Sequence, residues 1–272
     1  DSGDGNMINT VVKSSDYTDR YVTYDVLNDG FGQGALYTVV NQAENLPTMY
    51  QKFYVYKDMP YALVQVELGS DNEISTNFMA PISTSGENVV DIGTKTDARA
   101  LFVPFSNDGY TAYNPETLNG AHTSYFVTAI FDNNSRNSVI AGSVDHDTWK
   151  TGTSTWATAD NGNINFFGAF AGINSKEFTY DFQPHGSIKG TKVSSPKMFL
   201  GYFDDWRDGM ETYGDANKRN NGKLSWGSGS IFGFSSWNAH QDKVTLENMK
   251  NASDEMATLN AGGFCDENGI TW

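Results

Sequence analysis

The chain has 272 residues, enough for one large domain or two ordinary ones. With 38% hydrophobic residues and 27 glycines it can bury a sizeable core, which excludes a disordered tail. A net charge of −15 and the lack of any Lys/Arg run exclude nucleic acid and anionic membrane surfaces as partners, and leave neutral ligands open.

The chain opens on Asp1-Ser2-Gly3-Asp4-Gly5-Asn6, with no initiator Met and no signal peptide, and so reads as a piece of something longer. Strand follows strand from about residue 7 to 195. In 60–68, Ala62, Val64, Val66 and Leu68 fall on one face, and Tyr61, Leu63, Gln65 and Glu67 on the other. Similar alternation predicts strands at 21–27, 36–40, 50–56, 74–82, 100–105, 125–131, 138–144, 164–170 and 177–182. Turn clusters separate them: Asn28-Asp29-Gly30, Asn107-Asp108-Gly109, Asp132-Asn133-Asn134 and Asp160-Asn161-Gly162. Many strands at this spacing, with no helix between them and no internal repeat, predict a large antiparallel sandwich.

The pattern changes near Pro196. Trp206, Met210 and Tyr213 have helical spacing within 204–214, and the aspartates at its start suit the positive end of the helix dipole. Gly209 weakens this helix and Gly214 is its expected end. A polar, glycine-rich link covers 220–229. A short apolar run at 230–237 follows, then a helix over 245–259. Thr245 is its expected N-cap, and Leu246, Met249, Ala252 or Ser253, Met256 and Leu259 form its stripe. Asn260-Ala261-Gly262-Gly263 ends it. One strand–helix unit cannot bury both of its faces, so it needs neighbours.

Few residues suggest chemistry directly. Gly30-Phe31-Gly32-Gln33-Gly34 lies between strands and reads as a hairpin turn, not a nucleotide loop. His122, His146, His185 and His240 are scattered and read as ordinary hydrogen-bonded imidazoles. Asp145-His146-Asp147 and Asp1/Asp4/Asn6 lack the spacing of a calcium loop. Cys265 is alone, so it forms neither an intramolecular disulfide nor a cysteine zinc site. It leaves the compartment open, with a bacterial secreted or cell-surface location favoured over the cytosol. No metal and no cofactor are expected. Trp149 and Trp156 lie in the Thr/Ser/Gly-rich stretch 147–158. Exposed, their rings would stack on the apolar face of a pyranose while nearby Asp, Asn and His bind its hydroxyls; packed inside, they would seal the sandwich.

Two segments carry a resemblance to a known family. Phe199-Leu200-Gly201-Tyr202-Phe203-Asp204-Asp205-Trp206-Arg207-Asp208-Gly209-Met210-Glu211-Thr212-Tyr213-Gly214-Asp215-Ala216-Asn217 resembles the linker between the N-terminal β-supersandwich and the catalytic barrel of melibiase-type α-galactosidases, glycoside hydrolase families 27 and 36. Phe232-Gly233-Phe234-Ser235-Ser236-Trp237-Asn238 resembles their first barrel strand, Gly-Trp-Asn-Ser-Trp, with Phe234 in place of the first Trp and Ser235 in place of Asn. The resemblance implies that Trp237, with Phe234, lines a sugar subsite. It implies retaining hydrolysis of terminal α-galactosides by two carboxylates on later barrel strands. A barrel needs about 250 residues. The sequence stops at Trp272, so those carboxylates are expected beyond it and the chain alone is expected to be inactive. Asp204 and Asp205 read as helix-start charges, not an acid/base pair.

The expected fold is therefore mainly β: a large antiparallel β-supersandwich (1–195), a linker with a short helix (196–229), and the first βα unit of a truncated TIM barrel (230–272). The expected partner is a galactose-containing oligosaccharide or glycan. Self-association through the exposed barrel fragment is a further expectation. A stand-alone carbohydrate-binding module is the alternative reading.

Overall fold

Fourteen antiparallel strands account for most of the residues that the computed structural model describes, namely 11–93, 95–104, 113–158, 162–172, 186–222 and 240–261. In chain order they are β1 (Asp19–Asp29), β2 (Gly32–Gln42), β3 (Thr48–Tyr56), β4 (Tyr61–Thr76), β5 (Phe78–Val90), β6 (Ala98–Phe102) and β7 (Asn114–Thr117). Then come β8 (Gly120–Tyr125), β9 (Val127–Asp132), β10 (Ser138–Ser143), β11 (Thr151–Ala157), β12 (Ile164–Gly172), β13 (Ile188–Ser194) and β14 (Met198–Phe203). A ten-stranded sheet runs β1-β2-β3-β4-β14-β10-β9-β6-β7, with β13 also on β4, and a four-stranded sheet runs β5-β12-β11-β8. The mainly β antiparallel sandwich expected from alternation is the fold observed. The hairpin reading of residues 30–34 also holds: Gly30 and Phe31 join β1 to β2, with Gly32 at φ 118°.

Two expected strands each contain a switch of sheet. The run 74–82 breaks at Asn77, where β4 leaves the large sheet and β5 enters the small one. The Thr76 hydroxyl accepts from the Phe78 amide and donates to its carbonyl, which closes the corner. The run 125–131 breaks at Phe126, whose φ of 63° turns the chain from β8 into β9. Alternation continues through both corners because the two inner faces are both apolar, so the pattern does not reveal the switch. The expected strand at 177–182 and the turn at 107–109 lie outside the described residues.

The boundary expected at 195 falls inside the sandwich. The compact unit runs Asp1–Lys223, and a second comprises Leu224–Trp272. After Pro196 the chain returns as β14 and fills the gap between β4 and β10, pairing Phe199 with Leu63 and Ile140 with Gly201. Ser195 holds the link: its amide donates to the Val66 carbonyl, and its hydroxyl accepts from the Val66 amide at 3.0 Å. So residues 198–203, read above as the start of a linker, form a central strand. The helix α1 (Trp206–Asn221) lies over it.

Hydrophobic burial follows these layers. One cluster, with Ile130, Ala141, Ile164 and Phe167, lies between the two sheets; another, with Ile140, Phe199, Phe203, Tyr213 and Ala216, lies between the large sheet and α1. Gly209 lets α1 approach: a Cβ there would come within 2.6 Å of Ile140 Cγ1 and 2.8 Å of Phe203 Cδ2. The glycine that weakens the helix as a sequence is what allows it to pack. Gly214 does not end α1, which continues to Gly222 at φ 75°.

In the second unit the described residues form a 3₁₀ turn, Gln241–Lys243, and the helix α2 (Leu246–Ala261). Thr245 caps α2 as expected. Its hydroxyl accepts from the Asn248 amide, and Asn248 Oδ1 accepts from the Thr245 amide. Met249, Ala252 and Met256 are half-buried, and Leu246 is exposed. The expected strand at 230–237 and the helix stop at 262–263 lie outside the described residues.

Candidate functional site

Trp149 and Trp156 bracket β11 and go to different places. Trp149 packs against the inner cluster of Tyr17, Met49, Val66 and Met79, and its indole N–H donates to the Ser194 carbonyl at 3.0 Å. One side of the ring borders a shallow cleft of about 390 Å³, lined also by Asp145, Asp147, Lys189, Lys192 and Ser194. With its single polar group occupied, this tryptophan seals the sandwich.

Trp156 points outward. It is 46% exposed on the outer face of the four-stranded sheet. Across the ladder it pairs with Ala121 on one side and Phe166 on the other, and Phe166 pairs with Ser85. The Phe166 ring lies over Gly168, with Cζ 3.0 Å from where a Cβ would stand. The next row on this face is Thr123, Ser154, Gly168 and Ser83, with the Thr123 and Ser154 hydroxyls 3.1 Å apart. Ser154 in that row is buried and Thr123 half-buried, so the face offers a sugar ring the open Trp156 ring to stack on and the exposed Ser83 as its hydroxyl side chain. The two tryptophans therefore do not form one site. Phe234 and Trp237, the other two candidates, lie outside the described residues.

Two residues that line the cleft beside Trp149, Lys192 and Ser194, bond a group that sequence reasoning missed. Glu67 is buried, at 7% exposure, on β4. Its Oε2 lies 3.0 Å from Lys52 Nζ and its Oε1 3.0 Å from Lys192 Nζ, and it accepts from the Ser194 hydroxyl. Burial alone would raise its pKa, yet the two ammonium groups hold it below the usual carboxylate range. The sequence signal was a charged residue on the same face as Tyr61, Leu63 and Gln65. Its partners come from β3 and β13, distant in sequence.

The other candidates have structural roles. Asp205 caps α1, accepting from the Arg207 amide, and pairs with the Arg207 and Arg136 guanidinium groups. Those bonds, the Arg207 side chain first, hold its carboxyl well below the usual range. A carboxylate so committed is no proton donor near neutral pH, as its position at a helix start implied. Asp145 accepts from the Lys197 amide and from Asn220 Nδ2. His122 bonds Glu116, and His146 bonds Asn217 at 2.6 Å. Among the described residues no cluster of three His, Cys, Asp or Glu has metal-binding geometry.

No protein-family model matches the sequence, and no curated protein matches it. Solved structures do. A crystal structure of the GH36 α-galactosidase AgaA from Geobacillus stearothermophilus, a variant in complex with 1-deoxygalactonojirimycin, superposes with a TM-score of 0.51 at 12% identity, covering 73% of this chain and 30% of that one. The two share a fold. The galactosidase domain of the α-galactosidase–sucrose kinase AgaSK gives 0.44 at 13% identity, over 68% of this chain and 28% of that one. AgaB from Geobacillus stearothermophilus gives 0.45 at 11%, over 69% and 28%. The chain spans less than a third of the length of each of these enzymes. At such identity the likeness is one of architecture, and the supersandwich expected above is what it supports.

Proposed function

We propose that this chain is the non-catalytic N-terminal sandwich region of a retaining glycoside hydrolase of the α-galactosidase type, acting on terminal α-galactosides with its catalytic carboxylates supplied from outside this chain. The observation that carries the reading is the shared sandwich fold with a GH36 α-galactosidase, over 73% of this chain but only 30% of the enzyme. The linker-like and barrel-strand-like segments, 199–217 and 232–238, support it from the sequence side. An aryl α-galactoside assay on the purified chain tests it. No turnover is expected, and turnover that persists through purification to homogeneity would overturn it.

The exposure of Trp156 favours a second reading, that the sandwich itself binds galactose-type glycans as a carbohydrate-binding module. Titration with galactose and raffinose tests this reading separately. Binding lost in Trp156→Ala but kept in Trp149→Phe supports the outer face of the small sheet as the platform. No binding at millimolar sugar discards it.

A further inference from the structure

Among the described residues the large sheet ends on β1, an eleven-residue strand with no bulge, proline or lysine. Soluble proteins usually blunt such an edge with one of those devices or with charged side chains, and here only the charges of Asp19, Arg20, Asp25 and Asp29 are present. Both faces of β1 are exposed along most of its length. On one face Val22, Tyr24 and Val26 are 61%, 58% and 76% exposed, and the patch continues across the ladder to Tyr37 and Val55, at 42% and 45%. The Tyr24 and Tyr37 rings lie 5.4 Å apart. The same face continues through Phe53 to Val64 and Val66, where it is buried inside the sandwich. Among the described residues the ten-stranded sheet thus extends beyond the four-stranded one and leaves its inner apolar face uncovered beside an open edge.

We propose that β1 pairs antiparallel with β1 of a second copy of this chain, making one continuous sheet across a two-fold axis. The strand belongs to the first compact unit, and the proposal is independent of the proposed function. The strand's own charges argue for a second copy. A two-fold that extends a sheet must keep each face on the same side, so it opposes residues separated by an even number of positions. Centring on Val22 sets Asp19 against Asp25′. Centring on Tyr24 sets Asp19 against Asp29′, and centring on Asp25 sets that residue against itself. Centring on Thr23 opposes no two charges. Tyr21 meets Asp25′, Val22 meets Tyr24′, Arg20 meets Val26′ and Asp19 meets Leu27′. This is the longest register of β1 on itself with no like charges face to face. It also places valine against tyrosine, a favourable cross-strand pair. The two exposed rows then join into one apolar strip across the axis.

Light scattering and sedimentation of the full chain, with two cysteine variants, test this. The expected result is a dimer that dissociates on dilution. Val22→Lys, at an exposed position, should keep the wild-type circular dichroism and raise the dimer Kd by about tenfold or more. In a Cys265→Ser background, Thr23→Cys should cross-link on mild oxidation, because the paired Cα atoms would lie about 4.5–5.5 Å apart, within disulfide reach. Asp25→Cys should not, since its own copy would lie roughly 14 Å away along the strand. A monomer at every concentration would overturn the proposal. So would a dimer that ignores Val22→Lys and in which Thr23→Cys links no faster than Asp25→Cys, because its contact would lie elsewhere.

Discussion

The Tyr213 hydroxyl donates to the Ser143 carbonyl at 2.7 Å, tying the middle of α1 to the end of β10. The same ring packs edge-on against Phe199 of β14, with centroids 5.6 Å apart. One residue therefore joins the helix to two neighbouring strands of the large sheet. Burial pushes its phenol up to about 12, against the opposing effect of its bonds to Asn217 and Ser143. A phenol whose folded pKa is raised favours the fold fully below the unfolded value of about 10, and that contribution is lost as pH rises through about 12. Tyr213→Phe should cost about 1 kcal/mol at neutral pH. It should also flatten the loss of stability between about pH 10 and 12. Urea unfolding at several alkaline pH values reads both effects.

Gly209 and Gly214 lie on one helix and should respond oppositely to alanine. Alanine favours a helix by about 1 kcal/mol over glycine. At Gly214 nothing stands within 4 Å of the added Cβ, so Gly214→Ala should stabilise by roughly 0.5–1 kcal/mol. At Gly209 the added methyl meets Ile140 and Phe203, and Gly209→Ala should destabilise by about 1–3 kcal/mol despite the better propensity. Equal shifts in melting temperature would contradict the packing argument.

Asp132 should set part of the acid limb. It is fully buried at the end of β9, where burial would raise its pKa. The amides of Asp97 at 2.7 Å, Ser135 at 2.8 Å and Asn134 at 3.0 Å, with the Thr96 hydroxyl, instead hold it down at about 2. A depressed carboxylate contributes above its unfolded value of about 4, and that contribution is lost as pH falls from about 4 through about 2. Asp132→Asn should lower stability at pH 7 by roughly 2–4 kcal/mol and remove most of this acid dependence. Chemical denaturation at pH 7 and near pH 3 separates the two.

The tryptophans should divide stability from binding. Trp149→Ala removes an inward ring and its N–H bond to Ser194, and should cost about 3–5 kcal/mol. Trp156→Ala should cost under about 1 kcal/mol, because the ring is 46% exposed. If sugar binding is found, Trp156→Ala should abolish it. Thermal melts beside the titration test both halves.

Glu67→Gln should destabilise by roughly 2–4 kcal/mol, since it leaves the Lys52 and Lys192 ammonium groups facing each other without their shared anion. Lys192 lines the cleft beside Trp149, so the substitution should also loosen β13 there, read as faster amide exchange in 188–194.

Much of this architecture was legible as pattern. Alternation at 21–27, 36–40, 50–56 and 138–144 marks real strands, and Thr245 and Asp205 act at helix starts as their positions implied. β14 was not legible. Its residues, Met198–Phe203, are largely buried between β4, β10 and α1, so both faces are apolar and the period of two is weak. β11 was hidden for a related reason: Thr151, Thr153 and Thr155 are buried polar residues that read as loop. The candidate site divided similarly. Composition singled out Trp149 and Trp156 together, and nothing in their spacing distinguishes the ring that seals the core from the one that faces water.

By itself the sequence determined the class of this protein: an acidic, antiparallel sandwich followed by helices, because side-chain period and turn chemistry are local properties of the chain. Only the tertiary structure decided how far the sandwich extends, where the chain changes sheet and which tryptophan is free. Those depend on contacts between residues far apart in sequence, such as Phe199 with Leu63, Glu67 with Lys192 and Tyr213 with Ser143. The meaning of 272 residues changed accordingly. The large unit takes in β14 and α1 and runs to Lys223, because the strand that reads as a linker fills the centre of the sheet.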